Sequence, residues 1–150
     1  SAHPVIDQAL EVDGTTVHIT GVGTGNPHLV LFDRLADADR LRLGPLLSAH
    51  PLVPAQANVE FCTVLAEGAD GRPSEMRCDV FERGCGWTQA CGTGATAAAT
   101  AAIALGRVPK GRPVRVRLPG GWLTIEVSAE GEATMTGPAT HVFDGTVRVA

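Results

Sequence analysis

Tyrosine is absent from this 150-residue chain, lysine occurs once, and only 4% of the residues are aromatic. The single lysine, Lys110, sits between Pro109 and Gly111 in a connector pattern. A pyridoxal-phosphate Schiff base needs a buried lysine, so a self-contained pyridoxal enzyme is not expected. No apolar stretch approaches the roughly 20 residues of a membrane span without Gly, Thr or a charge interrupting it. Basic residues are also scarce. The 12 Lys+Arg are scattered and outnumbered by 16 Asp+Glu, which argues against a nucleic-acid or acidic-membrane partner. Ser1-Ala2-His3-Pro4 lacks a basic stretch followed by an apolar core and does not read as a signal peptide. The four cysteines form no C-x-x-C and have no histidine at zinc-finger spacing, so no metal site is expected. Without a secretion signal, free thiols in a reducing cytoplasm are the expectation.

What remains is enough for one domain over residues 1–150. Short strands dominate. Ala9–Val12 and Thr15–Val22 flank Asp13-Gly14, a type I′ hairpin signal. Leu29–Asp33 reads as a buried strand. Ala38–Ala49 has leucines at helical spacing, with Gly44-Pro45 expected to break it into two pieces. Asn58–Leu65 and Glu75–Glu82 alternate, as do Val114–Leu118 and Trp122–Ser128, and Ala133–Thr136 and His141–Val149 complete the series. Cys62 and Cys78 fall in these alternating runs and read as small core residues. One segment differs. Gly92–Leu105 is rich in alanine, the best helix former, and carries no charge, so it reads as a helix buried on all sides. Gly106 and Pro109 stop it. The expected fold is α+β, an antiparallel barrel-like sheet wrapped around one central Ala-rich helix.

The run Glu82-Arg-Gly-Cys-Gly-Trp-Thr-Gln-Ala-Cys91-Gly-Thr-Gly94 leads from a strand into that helix. Cys91 falls at the helix N-terminus, where peptide dipoles and free N–H groups favour a thiolate, and its pKa is expected to drop towards or below neutrality. The amides of Gly92, Thr93 and Gly94 offer an anion seat beside the sulfur. Other polar groups gather at strand ends: Asn26 and His28 in Gly25-Asn-Pro-His28, then Asn58, Glu82 and Arg83. Arg83 can fork onto a carboxylate, the two Asn side chains offer directed amides, and Glu82 can receive an ammonium group. Each also has a plainer reading: Asn58 as a turn former, Glu82-Arg83 as a solvated pair, His28 as a hydrogen-bonded strand end.

Taken in order, Gly25-Asn-Pro-His28, Asn58-Val-Glu-Phe61, Glu82-Arg-Gly84, Ala90-Cys-Gly-Thr-Gly94 and Leu118-Pro-Gly-Gly121 closely resemble the C-terminal half of diaminopimelate epimerase. Met135-Thr-Gly-Pro-Ala139 resembles that family's ending, and the resemblance runs from near residue 9 to the C-terminus. It implies a cofactor-free isomerase interconverting LL- and meso-diaminopimelate in lysine biosynthesis. In that family two cysteines, one per domain, face each other across the substrate α-carbon. One thiolate removes the α-proton and the other thiol delivers a proton to the opposite face. The resemblance makes Cys91 one of the two and gives the α-carboxylate to the Gly92 and Thr93 amides. It places Glu82 at the α-ammonium, Arg83, Asn26 and Asn58 at the distal end, and His28 as the residue that poises the acid/base groups.

Three departures stand out. Only one C-G-x-G motif is present, so the N-terminal catalytic domain with the partner cysteine is expected to be a missing partner, and a homodimer stays open. Cys85, in the same turn as Cys91, is not expected to reach the opposite face. Trp87 stands where the family usually carries an acidic residue, and Thr24 where it often has methionine. Rival readings are a related isomerase of the same fold acting on another amino acid, a non-catalytic binding domain, and a cysteine hydrolase with His28 or His141 as base.

Overall fold

The computed structural model describes residues 5–53 and 55–149, so the segment at residues 1–4 read for a signal peptide lies outside the described residues. The elements run β1 (Gln8–Val12), β2 (Thr15–Gly23), β3 (Pro27–Leu31), α1 (Asp37–Ser48), β4 (Asn58–Ala66), β5 (Ser74–Glu82), β6 (Gly86–Thr88), α2 (Gly92–Ala104), β7 (Val114–Leu118), β8 (Gly121–Val127) and β9 (Ala133–Thr136). Asp13 and Gly14 both take positive φ, the geometry a type I′ turn demands, and β1 pairs with β2 across them.

One sheet results, ordered β1-β2-β3-β4-β5-β7-β8-β9, with β6 on the remaining length of β5 beside β7. The all-antiparallel expectation needs correction. β3 runs parallel to β4, and β5 to β7. In each case a helix lies between the two strands, α1 in the first and α2 in the second. Such a crossover returns the chain to the sheet in the same direction. The sheet curls round α2, which packs against β2, β3, β4, β5, β7, β8 and β9, while α1 covers β1, β4 and β5 from outside.

Side chains alternate between these faces. Val30, Cys62, Met76, Cys78 and Val80 point inward to α2, where they join Ala95, Ala98 and Ala102. Leu29, Leu31, Val59 and Phe61 point outward to Leu43 and Leu47 of α1. Cys62 and Cys78 are buried as expected, directly opposite one another with sulfurs 3.3 Å apart.

α1 is unbroken through Gly44-Pro45. Pro45 costs it only the bond to the carbonyl of Leu41, a residue on the helix's exposed side. Gly44 is required by packing: a Cβ there would stand 2.9 Å from the Trp87 ring and 3.2 Å from that of Phe81. α2 departs from the fully buried expectation along one stripe. Thr93 is exposed, and Thr96, Thr100 and Ile103 are partly exposed, because the sheet leaves a seam between β2 and β9. The Thr96 and Thr100 hydroxyls donate back to the carbonyls of Gly92 and Thr96. At its far end Gly106, at φ +65°, closes the helix as expected, and Arg107 N–H bonds back to the Ala102 carbonyl.

The expected strand at His141–Val149 does not form. Val142, Phe143, Val147 and Val149 are all exposed, Phe143 at 79%. Strand residues need a neighbouring edge for their backbone groups, and none of the described strands pairs with this stretch. Trp122 on β8 lies under the Arg115 guanidinium, 4.4 Å from the ring centroid. Among the described residues no helix is long and apolar enough to cross a membrane.

Candidate active site

The period of two that builds the sheet also collects the polar groups. His28 shares its face with Val30, Asn58 and Glu60 with Cys62, and Glu82 with Val80, so all four side chains point to the α2 side. β3 and β4 pair with His28 opposite Asn58. The turn after β6 then delivers the N-terminus of α2 to the same end of the sheet.

Cys91 is the N-cap of α2, as expected from its position before the alanine run, and its sulfur accepts from the Gly94 N–H at 3.3 Å. Thr93 Oγ1 lies 3.5 Å from the sulfur, and Asn58 Nδ2 approaches it at 3.9 Å. The Asn58 amide is oriented by the Arg83 backbone N–H, which donates to Oδ1 at 2.9 Å. Asn58 therefore faces the thiol. Gly92 and Thr93 occupy the first turn, where helix geometry gives their N–H groups no internal acceptor. Met135 of β9 lies over Gly92, where a Cβ would meet its sulfur at 2.9 Å.

The electrostatics correct one expectation. Cys91 is only 7% exposed, and burial pushes its thiol above the ordinary value. The Thr93 and Gly94 hydrogen bonds pull it down, and the nearby charges of Glu82 and Glu60 push it up again. Desolvation outweighs the donors. Cys85, in the turn before β6, is exposed.

Glu82 is half-buried and accepts from Thr88 Oγ1 at 2.6 Å. Arg83 is exposed, and its guanidinium donates to the Ala55 carbonyl at 2.7 Å. Asn26 follows Gly25, whose φ of +94° makes the turn into β3. Trp87 does not enter the site. Its ring packs on the outer face, 5.6 Å from Phe61 and 5.5 Å from Phe81. Trp87 thus packs beside Gly44 of α1 with 38% of its surface still open to solvent.

Sequence reasoning missed Glu60. It is fully buried, its Oε1 lies 2.7 Å from His28 Nδ1, and its Oε2 has no partner. Alternation alone marked the inward face, but a carboxylate in an alternating strand reads as solvated unless its partner is known. His28 Nε2 lies 3.1 Å from Asn26 Oδ1, so both ring nitrogens are engaged. Neither His28 nor His141 hydrogen-bonds to Cys91, and His141 instead pairs with Asp144 on the exposed tail. A hydrolase dyad is not assembled.

A family model described as Diaminopimelate epimerase matches residues 20–142. The chain belongs to the diaminopimelate epimerase family. It is 47% identical over 146 residues to the diaminopimelate epimerase of Desulforudis audaxviator, covering 96% of this chain and 50% of that protein. The corresponding figures for Pseudomonas syringae pv. tomato are 47% over 143 residues, 94% and 49%. The chain thus spans about half the length of the curated diaminopimelate epimerases it matches. Among solved structures, a probable proline racemase from Agrobacterium radiobacter superimposes with a TM-score of 0.58 at 16% identity, over 87% of this chain and 45% of that one. A hydroxyproline epimerase from Agrobacterium vitis gives 0.56 at 18%, over 87% and 44%. A Bacillus anthracis phenazine biosynthesis protein of the PhzF family gives 0.54 at 20%, over 79% and 38%. These share the fold.

Proposed function

We propose that this chain is the C-terminal wall of a cofactor-independent epimerase that interconverts LL- and meso-diaminopimelate, with Cys91 as the acid/base on one face of the α-carbon. The observation that carries the reading is the convergence on one sulfur. An N-cap bond from Gly94, the Thr93 hydroxyl and an Asn58 amide locked by Arg83 all meet at Cys91, beside two helix-start N–H groups free to take a carboxylate. In one direction the Cys91 thiolate takes the α-proton and becomes a thiol. A cysteine of the preceding half of the enzyme gives its proton to the opposite face and becomes a thiolate. Reversing the roles runs the reaction back. Negative charge developing on the substrate is met by the Gly92 and Thr93 amides through its carboxylate. Glu82 takes the α-ammonium. Asn26 and Arg83 serve the distal end once substrate competes with the Ala55 carbonyl for Arg83, and Asn58 acts on the sulfur.

Residues 1–150 then form one domain of a two-domain cytoplasmic enzyme. By itself it holds half a site and should be inactive: one thiol cannot serve both faces, and an open wall neither desolvates nor orients the substrate. A homodimer with two Cys91 face to face suits the reaction poorly, because the α-carbon between them bears an ammonium, a carboxylate and a side chain that no two-fold axis interchanges. Deuterium uptake at the α-carbon of LL-diaminopimelate in heavy water tests the proposal. Exchange is expected only after the N-terminal half is supplied, with a loss of at least about a thousandfold in Cys91→Ala. Rapid exchange by this chain alone, or full exchange in the variant, would sink it.

A further inference from the structure

The His28–Glu60 pair is a fully buried polar contact, and no step above uses Glu60. Both side chains are fully shielded from water. A carboxylate with one oxygen unpartnered at 0% exposure is costly unless it serves another group. Glu60 Oε1 grips His28 Nδ1, and on the other side of the ring Nε2 meets Asn26 Oδ1. That oxygen also receives the Thr24 hydroxyl at 3.4 Å. Two donors on Oδ1 leave the Asn26 NH2 group as the end that is free, and among the described residues it has no protein acceptor. Gly94 is part of the same arrangement. The point where its Cβ would stand lies 2.9 Å from Glu60 Oε1 and 3.1 Å from Cys91 Sγ, so carboxyl and thiol share the space the missing side chain leaves.

We propose that Glu60 is a positioning residue for this site: it holds His28 so that Nε2–H is committed to Asn26, turning the Asn26 amide NH2 outward as a donor for a substrate carboxylate. The inference rests on the epimerase reading for the identity of that carboxylate, and on geometry alone for the rest. The ring faces an acceptor at Nε2 whatever the state of the carboxyl. With Glu60 protonated, Oε1–H donates to a bare Nδ1. With the proton transferred, an imidazolium faces a carboxylate. In both forms Nε2 keeps its hydrogen. Burial favours the protonated carboxyl and raises its pKa to about 7. The titratable groups around it are His28 on β3, Cys62 on β4, Glu82 and Cys78 on β5, and Cys91 at the head of α2.

Glutamine can copy the protonated acid by donating its amide to Nδ1, whereas alanine leaves the ring without a partner. In the full-length enzyme, Glu60→Ala is expected to raise KM for LL-diaminopimelate about tenfold with kcat changed much less, the signature of lost substrate binding. Glu60→Gln should stay within about threefold of wild type and lose any change in KM that wild type shows near pH 7. An unchanged KM in a folded Glu60→Ala protein, or equal damage in both variants, overturns the proposal. Nitrogen NMR of His28 in the substrate-free wild-type protein at pH 6.5 decides the point without variants or turnover. Nε2 should carry a proton; a bare Nε2 overturns the positioning role even if the epimerase reading stands. A protonated Nε2 with no epimerase activity would leave Glu60 in place and remove the substrate.

Discussion

The two faces of strands β3, β4 and β5 carry different kinds of residue although they alternate along the same backbone. Outward lie Leu29, Leu31, Val59 and Phe61, closed over by α1, with Phe81 and Trp87 packed at their edge. Inward lie His28, Asn58, Glu60 and Glu82 at one end, with Val30, Cys62, Cys78 and Val80 beyond them. The outer face is held by shape, the inner end by donors and acceptors that must each find a partner. An error outside should therefore cost stability, and an error inside should cost chemistry as well.

Two glycines make the sharpest contrast. Gly94→Ala puts a methyl group 2.9 Å from Glu60 Oε1 and 3.1 Å from Cys91 Sγ. We expect exchange activity of the complete enzyme to fall about a hundredfold, the scale of a misplaced reacting group, along with about 1–3 kcal/mol of stability. Gly44→Ala meets Trp87 and Phe81 just as closely on the outer face. It should cost about 1–2 kcal/mol of stability, read as a lower denaturation midpoint, and leave turnover by the folded enzyme unchanged. Equal kinetic damage from both would break the division between the faces.

The next effect is electrostatic. The folded protein holds the Glu60 proton more tightly than the unfolded chain, with the pKa raised from 4.5 to about 7. That contribution is fully present below about 4.5 and is lost as pH rises through about 7, with a slope of at most about 1.4 kcal/mol per pH unit. Denaturant midpoints of wild type and Glu60→Gln, taken from pH 4 to 8, should differ by this slope and run parallel above it. A difference that does not vary with pH would mean Glu60 stays ionised.

The smallest perturbation is covalent labelling of the native chain. Limiting iodoacetamide should reach exposed Cys85 first and Cys91 later, with Cys62 and Cys78 modified only on unfolding. Labelling of Cys62 before Cys91 would mean the inner face is open.

Much of this arrangement could be read in advance because it is local. Alternation marks which residues share a face, Asp13-Gly14 sets a hairpin, and an uncharged alanine run after Cys91 can only be an interior helix with the cysteine at its head. Pairing direction is not local. Nothing within β3 or β5 says that the strand beside it runs parallel; the intervening helices decide that. Glu60 was hidden for the same reason, since a buried carboxylate is made tolerable by a histidine 32 positions away. The thiol of Cys91 was misjudged because a helix start announces its donors in sequence, whereas the desolvation opposing them depends on the packed whole. His141–Val149 alternates like a strand but pairs with none of the described strands.

With no tyrosine in the chain, near-ultraviolet absorption comes almost entirely from two indoles. They report on different neighbourhoods. Trp122 lies beneath Arg115 on the far strands, whereas Trp87 packs at the surface against Phe61 and Phe81, four residues ahead of Cys91. A Trp122→Phe protein would therefore fluoresce from a single ring fixed at the base of the loop that carries the thiol. Its emission would follow movement of that loop when a ligand or a second domain arrives, with no dye attached.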